Sequence, residues 1–261
     1  MDAMDMVKSN HIRALLAGGS REDGREPYAF RGIKVIPGLL GNAEGSAEVH
    51  LGDTRVLAGV KLQIEEPMED TPHQGNLIMS GELLPLASEM YETGPPSADA
   101  IEFGRVVDRG IRHGNCIDLA SLFIEDEKVW TVFIDMYVLN YDGNLFDAGT
   151  LAAMAALMNT KVPKVEDGEA VRTERTQKLK IDNIVASTTF AKVKDRLILD
   201  PNGDEELAAD CRLTIATDAE KVRSMQKGKS GGLSKGDIEQ LLDASFNKYG
   251  ELKDILTRTQ S

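Results

Sequence analysis

The segment from residue 128 to residue 159 constrains the fold more than any other part of the sequence. Residues 128–140, KVWTVFIDMYVLN, carry apolar side chains at both odd and even positions. A strand that is apolar on both faces belongs in the middle of a sheet that is covered on both sides. Asp142-Gly143 predicts a turn after this strand, and the Ala-rich residues 144–159 predict a helix. The sequence therefore predicts a central strand that leads directly into a helix.

Strand and helix patterns continue on both sides of this segment. After the predicted turn at Gly52-Asp53-Thr54, apolar residues alternate at Val56, Ala58, Val60, Leu62 and Ile64. This period of two indicates a strand with one buried face. Residues 5–17 and 97–113 predict helices, and Ser97 is a predicted N-cap of the second. Ile101 is predicted to lie near the buried side of that helix.

The sequence divides into four parts: an N-terminal helix and loop (1–22), a first domain (23–164), a linker (165–176) and a second domain (177–261). The linker is predicted because KVEDGEAVRTERT, which begins at Lys164, is polar and has no apolar period. In the second domain, strand patterns precede a long final helix, and Ser234 and Asp237 predict a capping box at its start. Runs of strands followed by helices predict the α+β class.

The charge of the chain limits which partners it can bind. With 30 basic and 43 acidic residues, the formal net charge is −13. A chain of that charge repels nucleic acid at long range. Contact with RNA therefore requires a local basic stripe or a basic partner. An acidic chain also suits association with a basic protein.

The sequence carries no signal for a metal centre, a cofactor or a membrane span. The four histidines are scattered, and Cys116 and Cys211, the only cysteines, form no CxxC motif. Such cysteines indicate reduced thiols and a cytoplasmic location. No run of about 18 apolar residues occurs, and the acidic, polar N-terminus is not typical of a signal peptide.

The start of the helix in 144–159 has the features of an anion site. Asp147 is a predicted cap, Gly149 leaves the backbone open, and Thr150 offers a hydroxyl. Free N–H groups and the dipole at such an end favour a phosphate. However, the next residue is Leu151, which supplies neither a charge nor a donor. A phosphate bound here would lack its cation.

Two carboxylates form a second candidate site in DPNGDEELAAD. Asp204 and Asp210 could share a hard cation such as magnesium, or one of them could act as an acid–base group. The alternative is a solvated acidic turn between two strands.

Three arginines form a candidate RNA-binding stripe. Arg105, Arg109 and Arg112 lie at positions i, i+4 and i+7 of a predicted helix, which places them on one face. Such a stripe suits phosphate contacts. The alternative is a set of ion pairs on an exposed helix, Asp108 with Arg112 and Glu102 with Arg105.

Five segments occur together in an order that resembles the ribonuclease PH family: SREDGRE, GSAEVHLGDTRVLAGVKL, EFGRVVDRGIR, VWTVFIDMYVLNYDGNLFDAGTLAAMAALMN and DEELAAD. The resemblance covers nearly the whole chain and is strongest to the catalytically silent ring subunits of archaeal exosomes. It implies an α+β fold in which sheets pack with helices in two subdomains. It also implies 3′-to-5′ degradation of RNA by phosphorolysis, in which inorganic phosphate releases nucleoside diphosphates.

The same resemblance assigns roles to the candidate residues. Active members carry a hydroxyl residue followed by arginine at the helix start, where Thr150 matches the hydroxyl and Leu151 stands in place of the arginine. Asp204 and Asp210 match the family's carboxylate pair, which helps hold metal and protonate the leaving group, and are interpreted as remnants. The expected chain is a non-catalytic subunit whose RNA-binding residues are Arg105, Arg109 and Arg112.

The resemblance implies partners as well. The chain is expected to alternate with a catalytic ribonuclease PH-like subunit in a hexameric ring, with RNA-binding cap proteins and single-stranded RNA. Two alternatives remain open. A self-sufficient phosphate-dependent exoribonuclease is favoured by Asp204 and Asp210 but opposed by Leu151. An acidic α+β protein that binds a small metabolite is the other.

Overall fold

The computed structural model describes residues 3–125 and 127–259. Within them the helices are α1 (Ala3–Ala17), α2 (Ala98–His113), α3 (Leu145–Met158), α4 (Gly203–Ala208) and α5 (Lys235–Arg258). The strands are β1 (Ile33–Pro37), β2 (Gly45–Leu51), β3 (Thr54–Glu65), β4 (Asn76–Leu83), β5 (Phe123–Glu125), β6 (Lys128–Asn140), β7 (Lys161–Glu166), β8 (Glu169–Lys178), β9 (Ala186–Val193), β10 (Arg196–Leu199), β11 (Cys211–Thr217) and β12 (Val222–Gly228). The order of elements is that of an α+β protein, as predicted.

The first sheet has the order β1-β2-β3-β6-β4, and β5 pairs with β6. Strand β6 lies between β3, which is antiparallel to it, and β4, which is parallel, so the prediction of a central strand is confirmed. The alternating apolar residues of β3 from Val56 to Leu62 are fully buried. Gly52 makes the two-residue turn between β2 and β3 with a φ of 57°, a conformation that glycine adopts without strain.

The second sheet has the order β10-β9-β11-β12. Helix α5 packs on β9 and β11, and its predicted capping box at Ser234 and Asp237 is present. The predicted N-terminal helix is α1, which buries Ile12 and Leu16 against residues of β9, β10 and α4. The second sheet therefore carries α1 as well as the terminal helix.

Helix α3 is buried on every side from Phe146 to Leu157. It packs on β2 and β3 of the first sheet and on β9 of the second. A Cβ atom at Gly149 would lie 2.4 Å from the ring of Phe103 in α2, so this glycine permits the close approach of α2 and α3. A helix that is apolar all round is a core element, and α3 fills the space between the two sheets.

Two predictions of local structure are wrong. Residues 165–176, predicted as an irregular linker, belong to the antiparallel hairpin of β7 and β8, although the domain boundary placed there stays a prediction. The turn residues of the hairpin, Asp167 and Gly168, have φ values of 50° and 76°. Two such residues form the turn that matches the twist of a hairpin. Ile101, predicted near the buried side of α2, is 49% exposed. None of the helices in the described part of the chain is long and apolar enough to span a membrane.

Candidate functional site

The N-terminus of α3 differs from the prediction in which residue caps it. The helix begins at Leu145, and its N-cap is Asn144, whose φ of 55° is left-handed. The Asn144 side chain accepts a hydrogen bond from the backbone N–H of Asp147 at 3.4 Å. Asparagine tolerates this conformation better than most residues. Asp147 is therefore the third residue of the helix and not its cap.

Asp147 connects α3 to the second sheet. Its fully buried carboxylate accepts hydrogen bonds from the N–H and the hydroxyl of Thr189 in β9, both at 2.8 Å, and from the Asn144 amide at 2.9 Å. Burial raises the pKa of Asp147 from 3.8 to about 8, although these hydrogen bonds lower it. The side chain holds two layers of the fold together and does not face a ligand.

Thr150 and Leu151 lie in the second turn of α3, and both are fully buried. The Thr150 hydroxyl donates to the carbonyl of Phe146 at 2.8 Å and lies 2.9 Å from the hydroxyl of Ser187. Both side chains are enclosed in the core of this chain, and their match to the phosphate-clamping positions of active members stays a prediction. The prediction placed the helix start about one turn too late.

The residues at the observed helix start still include neither a hydroxyl nor a cation. They are Leu145 and Phe146, and Phe146 is buried. The guanidinium of Arg212 lies 4.3 Å from the centroid of the Phe146 ring. It is paired with Glu102 at 3.1 Å, so a carboxylate already neutralises the cation that lies over this turn.

Asp204 and Asp210 lie in and just after α4, and both are paired with cations of α1. Lys8 lies 3.3 Å from Asp204, and Arg13 lies 2.7 Å from Asp210. Asp210 also accepts from the N–H of Lys194 at 2.7 Å. This backbone hydrogen bond, followed by the bond from Arg13, holds the pKa of Asp210 below its usual range.

This arrangement does not fit a divalent cation. Lys8 and Arg13 supply the positive charge that a metal would bring to Asp204 and Asp210. Among residues 3–125 and 127–259, no three His, Cys, Asp or Glu side chains come together as a metal-binding group. The carboxylate pair instead anchors α1 to the second domain.

Buried arginines before β1 fix the turn that carries these carboxylates. Arg21, from the SREDGRE segment, is paired with Glu205 of α4 at 2.6 Å, and both side chains are almost fully buried. Arg31 lies 2.8 Å from Asp200. Burial alone would raise the pKa of Asp200. The hydrogen bonds and the positive charge of Arg31 lower it by more, so this pKa lies below its usual value. In the sequence, Arg21 stands out only as part of the SREDGRE family motif, and no local pattern indicates its pairing with Glu205.

The side chains of the three arginines of α2 differ in the partners that they bind. Arg112 is bound to Asp108 at 2.7 Å, as the ion-pair alternative predicts, and also to the carbonyl of Leu77. Arg109 donates to Gln226 at 2.7 Å. Arg105 is exposed, and its side chain has no hydrogen-bond or ion-pair partner among the described residues.

The predicted pair of Glu102 with Arg105 is wrong. Glu102 instead binds Arg212 at 3.1 Å and accepts from the amide of Gln226 at 3.0 Å. Arg105 is therefore the member of the stripe that is available to a ligand. Arg109 is partly engaged, and Arg112 is held by the fold.

A mixed first sheet, a buried helix between two sheets and a carboxylate turn fixed by buried arginines define a two-domain protein of the ribonuclease PH class. The chain belongs to the 3′ exoribonuclease family: residues 29–163 match its domain 1 and residues 183–248 match its domain 2. The resemblance to the ribonuclease PH family and the predicted fold class are confirmed.

Two named archaeal relatives are similar to this chain over nearly its whole length. The exosome complex component Rrp42 of Thermococcus gammatolerans is 44% identical over 262 residues, which cover 98% of this chain and 96% of the relative. The Rrp42 component of Saccharolobus islandicus is 46% identical over 241 residues, or 90% of this chain and 88% of the relative. This chain is therefore similar along nearly its whole length to archaeal exosome components.

Solved structures agree with this assignment. A chain of the Archaeoglobus fulgidus exosome with RNA bound to the active site is 42% identical, with a TM-score of 0.91 and coverage of 97% of this chain and 99% of that chain. A chain of the archaeal exosome core is 40% identical, with a TM-score of 0.87 and coverage of 97% and 98%. Rice Rrp46, at 18% identity and a TM-score of 0.72, shares the fold.

Proposed function

We propose that this chain is a non-catalytic, RNA-binding ring subunit of an archaeal exosome. It alternates with a catalytic ribonuclease PH-like subunit in a hexameric ring that carries RNA-binding cap proteins and degrades single-stranded RNA from its 3′ end by phosphorolysis. The ring is cytoplasmic, where the buried thiols of Cys116 and Cys211 stay reduced. Full-length similarity to exosome components supports this function and does not fit the small-metabolite alternative.

One observation carries the non-catalytic part of the proposal. By resemblance, Leu151 stands where active family members have the phosphate-clamping arginine, and its fully buried side chain supplies neither a charge nor a donor. A hydrogen bond from a charged donor to phosphate contributes about 1.5–3 kcal/mol. A helix dipole contributes at most about 2 kcal/mol, so the free N–H groups alone do not replace a bidentate arginine.

The state of the carboxylate pair supports the same conclusion. Asp204 and Asp210 are ion-paired with Lys8 and Arg13, so they are engaged in holding α1. Carboxylates without a bound phosphate nucleophile have nothing to activate. The self-sufficient enzyme, which depends on this pair, is therefore the weaker alternative.

The arginine stripe gives the chain its RNA-binding role. Arg105 is exposed, and Arg109 is only partly buried, next to Gln226. We assign these two arginines to phosphate contacts beside the partner's active site. Arg112, the third member of the stripe, lies beside them and is bound to Asp108. Phosphate contacts position RNA without reading its bases, which suits a complex that degrades many sequences.

A turnover assay tests this function. The purified chain, incubated with single-stranded RNA and inorganic phosphate, should release no nucleoside diphosphate, whereas the ring formed with its catalytic partner should. Phosphate-dependent turnover by the chain alone, lost in Asp210→Ala, would establish the self-sufficient enzyme instead.

A further inference from the structure

A basic cleft opens where the β7–β8 hairpin meets the loop between β1 and β2. It has a volume of about 800 Å³ and is lined at one side by Asn159, just after the C-terminal end of α3. The charged residues that line it are Lys161, Arg172, Arg175, Lys178 and a single carboxylate, Glu44. This concentration of positive charge stands out on a chain with a net charge of −13.

Glu44 does not neutralise the cleft. Its fully buried carboxylate lies 3.2 Å from Arg172, 3.3 Å from Arg175 and 3.0 Å from Lys61. It also accepts from the backbone N–H of Leu62 at 3.0 Å. One negative charge thus faces three cations, and Glu44 fixes the two arginines in place while the floor of the cleft stays positive.

Two lysines at the mouth of the cleft oppose each other. Lys161 of β7 and Lys178 of β8 are direct cross-strand partners, and both are exposed. Neither side chain has an ion-pair or hydrogen-bond partner in the described parts of the chain, 3–125 and 127–259. Like charges directly opposite each other destabilise an antiparallel pair, and an anion between the lysines would remove that cost.

We propose that this cleft binds the phosphate backbone of single-stranded RNA, at a site separate from the arginine stripe. The choice of RNA among polyanions rests on the proposed function. A groove with positive charge along its walls follows a nucleic-acid backbone without selecting a sequence. The arginines are held in place by Glu44, and the two exposed lysines extend the positive surface outward.

Lys178→Glu tests the cleft without endangering the fold. The new carboxylate would face Lys161 across the hairpin, so it replaces a like-charge pair with an ion pair. We expect the affinity of the full chain for a fluorescein-labelled oligouridine, measured by fluorescence anisotropy, to fall about tenfold. The log–log dependence of affinity on salt should flatten by about 0.7 for each lost contact. Lys161→Gln/Lys178→Gln, which also removes the repulsion, should weaken RNA binding as well.

Lys235→Glu is the matched control, because it changes the net charge equally. Lys235 lies at the first residue of α5, whereas Thr259, just after the other end, lines the cleft. The helix separates them by about 35 Å. Equal losses of RNA affinity in Lys178→Glu and Lys235→Glu would show a general charge effect and overturn the inference.

Four further outcomes are decisive. Binding of inorganic phosphate that depends on Lys178 and displaces the oligonucleotide would make the cleft a free-phosphate site and overturn the RNA assignment. Unchanged RNA affinity with weaker association of the partner subunits would make it a protein interface. Arg105→Glu/Arg109→Glu, measured in parallel, separates the two proposals. If only this variant loses RNA affinity, the cleft inference fails and the proposed function stands; if neither variant does, both fail.

Discussion

At the scale of single residues, Asp147 is the clearest case of a buried acidic side chain with a structural role. Its carboxylate joins α3 to β9 through two bonds to Thr189. Burial raises its pKa from 3.8 to about 8, so the folded chain retains a proton that the unfolded chain has lost at neutral pH. The free energy of unfolding therefore contains a contribution that decreases as pH rises between these two values.

Asp147→Asn should remove this pH dependence. The amide oxygen can accept from the N–H of Thr189, and the amide nitrogen can donate to its hydroxyl, so the fold should persist. We expect the difference between the unfolding free energies at about pH 5 and about pH 8 to shrink by at least about 1 kcal/mol relative to the wild type. Urea denaturation at both pH values measures it. An unchanged difference would mean that Asp147 is ionised in the folded chain at neutral pH.

Leu151→Arg should destabilise the protein and should not create a phosphate site. Leu151 is fully buried in α3, and an unpaired charge there costs about 3–5 kcal/mol. Leu151→Met, which conserves volume, should cost less than about 1.5 kcal/mol. Urea denaturation compares the two variants, and calorimetry tests phosphate binding. A folded Leu151→Arg variant that binds phosphate would restore the predicted clamp position.

At the scale of secondary-structure elements, α1 depends on the second domain for its position. Two apolar side chains, Ile12 and Leu16, pack on it, and Arg13 binds both Asp210 and the carbonyl of Ala208. The carboxylates that resemble a catalytic pair thereby become the docking points of a helix.

Arg13→Ala should loosen α1 more than Lys8→Ala does. Arg13 is 29% exposed and makes two hydrogen bonds to the turn, whereas Lys8 is 50% exposed and makes one. We expect a loss of roughly 1 kcal/mol for Arg13→Ala and less for Lys8→Ala. Hydrogen exchange should show faster exchange confined to α1. Equal protection of α1 in both variants and the wild type would show that its apolar contacts alone hold it.

The strongly patterned elements could be predicted from the sequence, and long-range pairings could not. Strand β6 has a continuous apolar run that ends at a turn, helix α5 has a capping box at its start, and both predictions hold. The β7–β8 hairpin has no such signal, because its residues are mostly polar and its arginines Arg172 and Arg175 pair with Glu44, which is distant in sequence. Within the candidate site, the arginine stripe follows from helical spacing, whereas the pairing of Lys8 with Asp204 spans 196 residues and leaves no local signal.

The cap of α3 shows the limit of local reasoning at a site. Asn144 and Asp147 are both cap-forming residue types, and spacing does not choose between them. The left-handed backbone at Gly143 and Asn144, with φ values of 75° and 55°, makes the choice. Because Asn144 is the cap, Thr150 and Leu151 lie in the second turn of the helix and not in its first.

At the scale of the whole molecule, positive charge is concentrated in few places on an acidic surface. The arginine stripe lies on α2, and the basic cleft lies beside the β7–β8 hairpin. Long-range repulsion of RNA by a net charge of −13 is thereby combined with local attraction. Binding should be strongest when a basic partner completes the ring.

Arg105→Glu/Arg109→Glu should weaken RNA binding by the ring without dissolving it. Exposed helix residues contribute little to assembly. The affinity should fall for all sequences, and the salt dependence should flatten by about 0.7 in log–log slope for each lost contact. Lys235→Glu/Lys248→Glu, of equal charge change on α5, is the control. Unchanged affinity and turnover in an intact mutant ring would reduce these arginines to surface ion pairs.

The central claim is that this chain performs no chemistry, and one measurement on the assembled ring tests it most directly. Rings would be formed from the catalytic partner with either the wild-type chain or Asp204→Asn/Asp210→Asn, whose amide oxygens can still accept from Lys8 and Arg13. Phosphate-dependent release of nucleoside diphosphates would be measured at saturating RNA. The account predicts that turnover per catalytic subunit is the same in both rings, within about twofold. A loss of about a hundredfold or more in an intact mutant ring, the size expected when an acid–base group is removed, would contradict it.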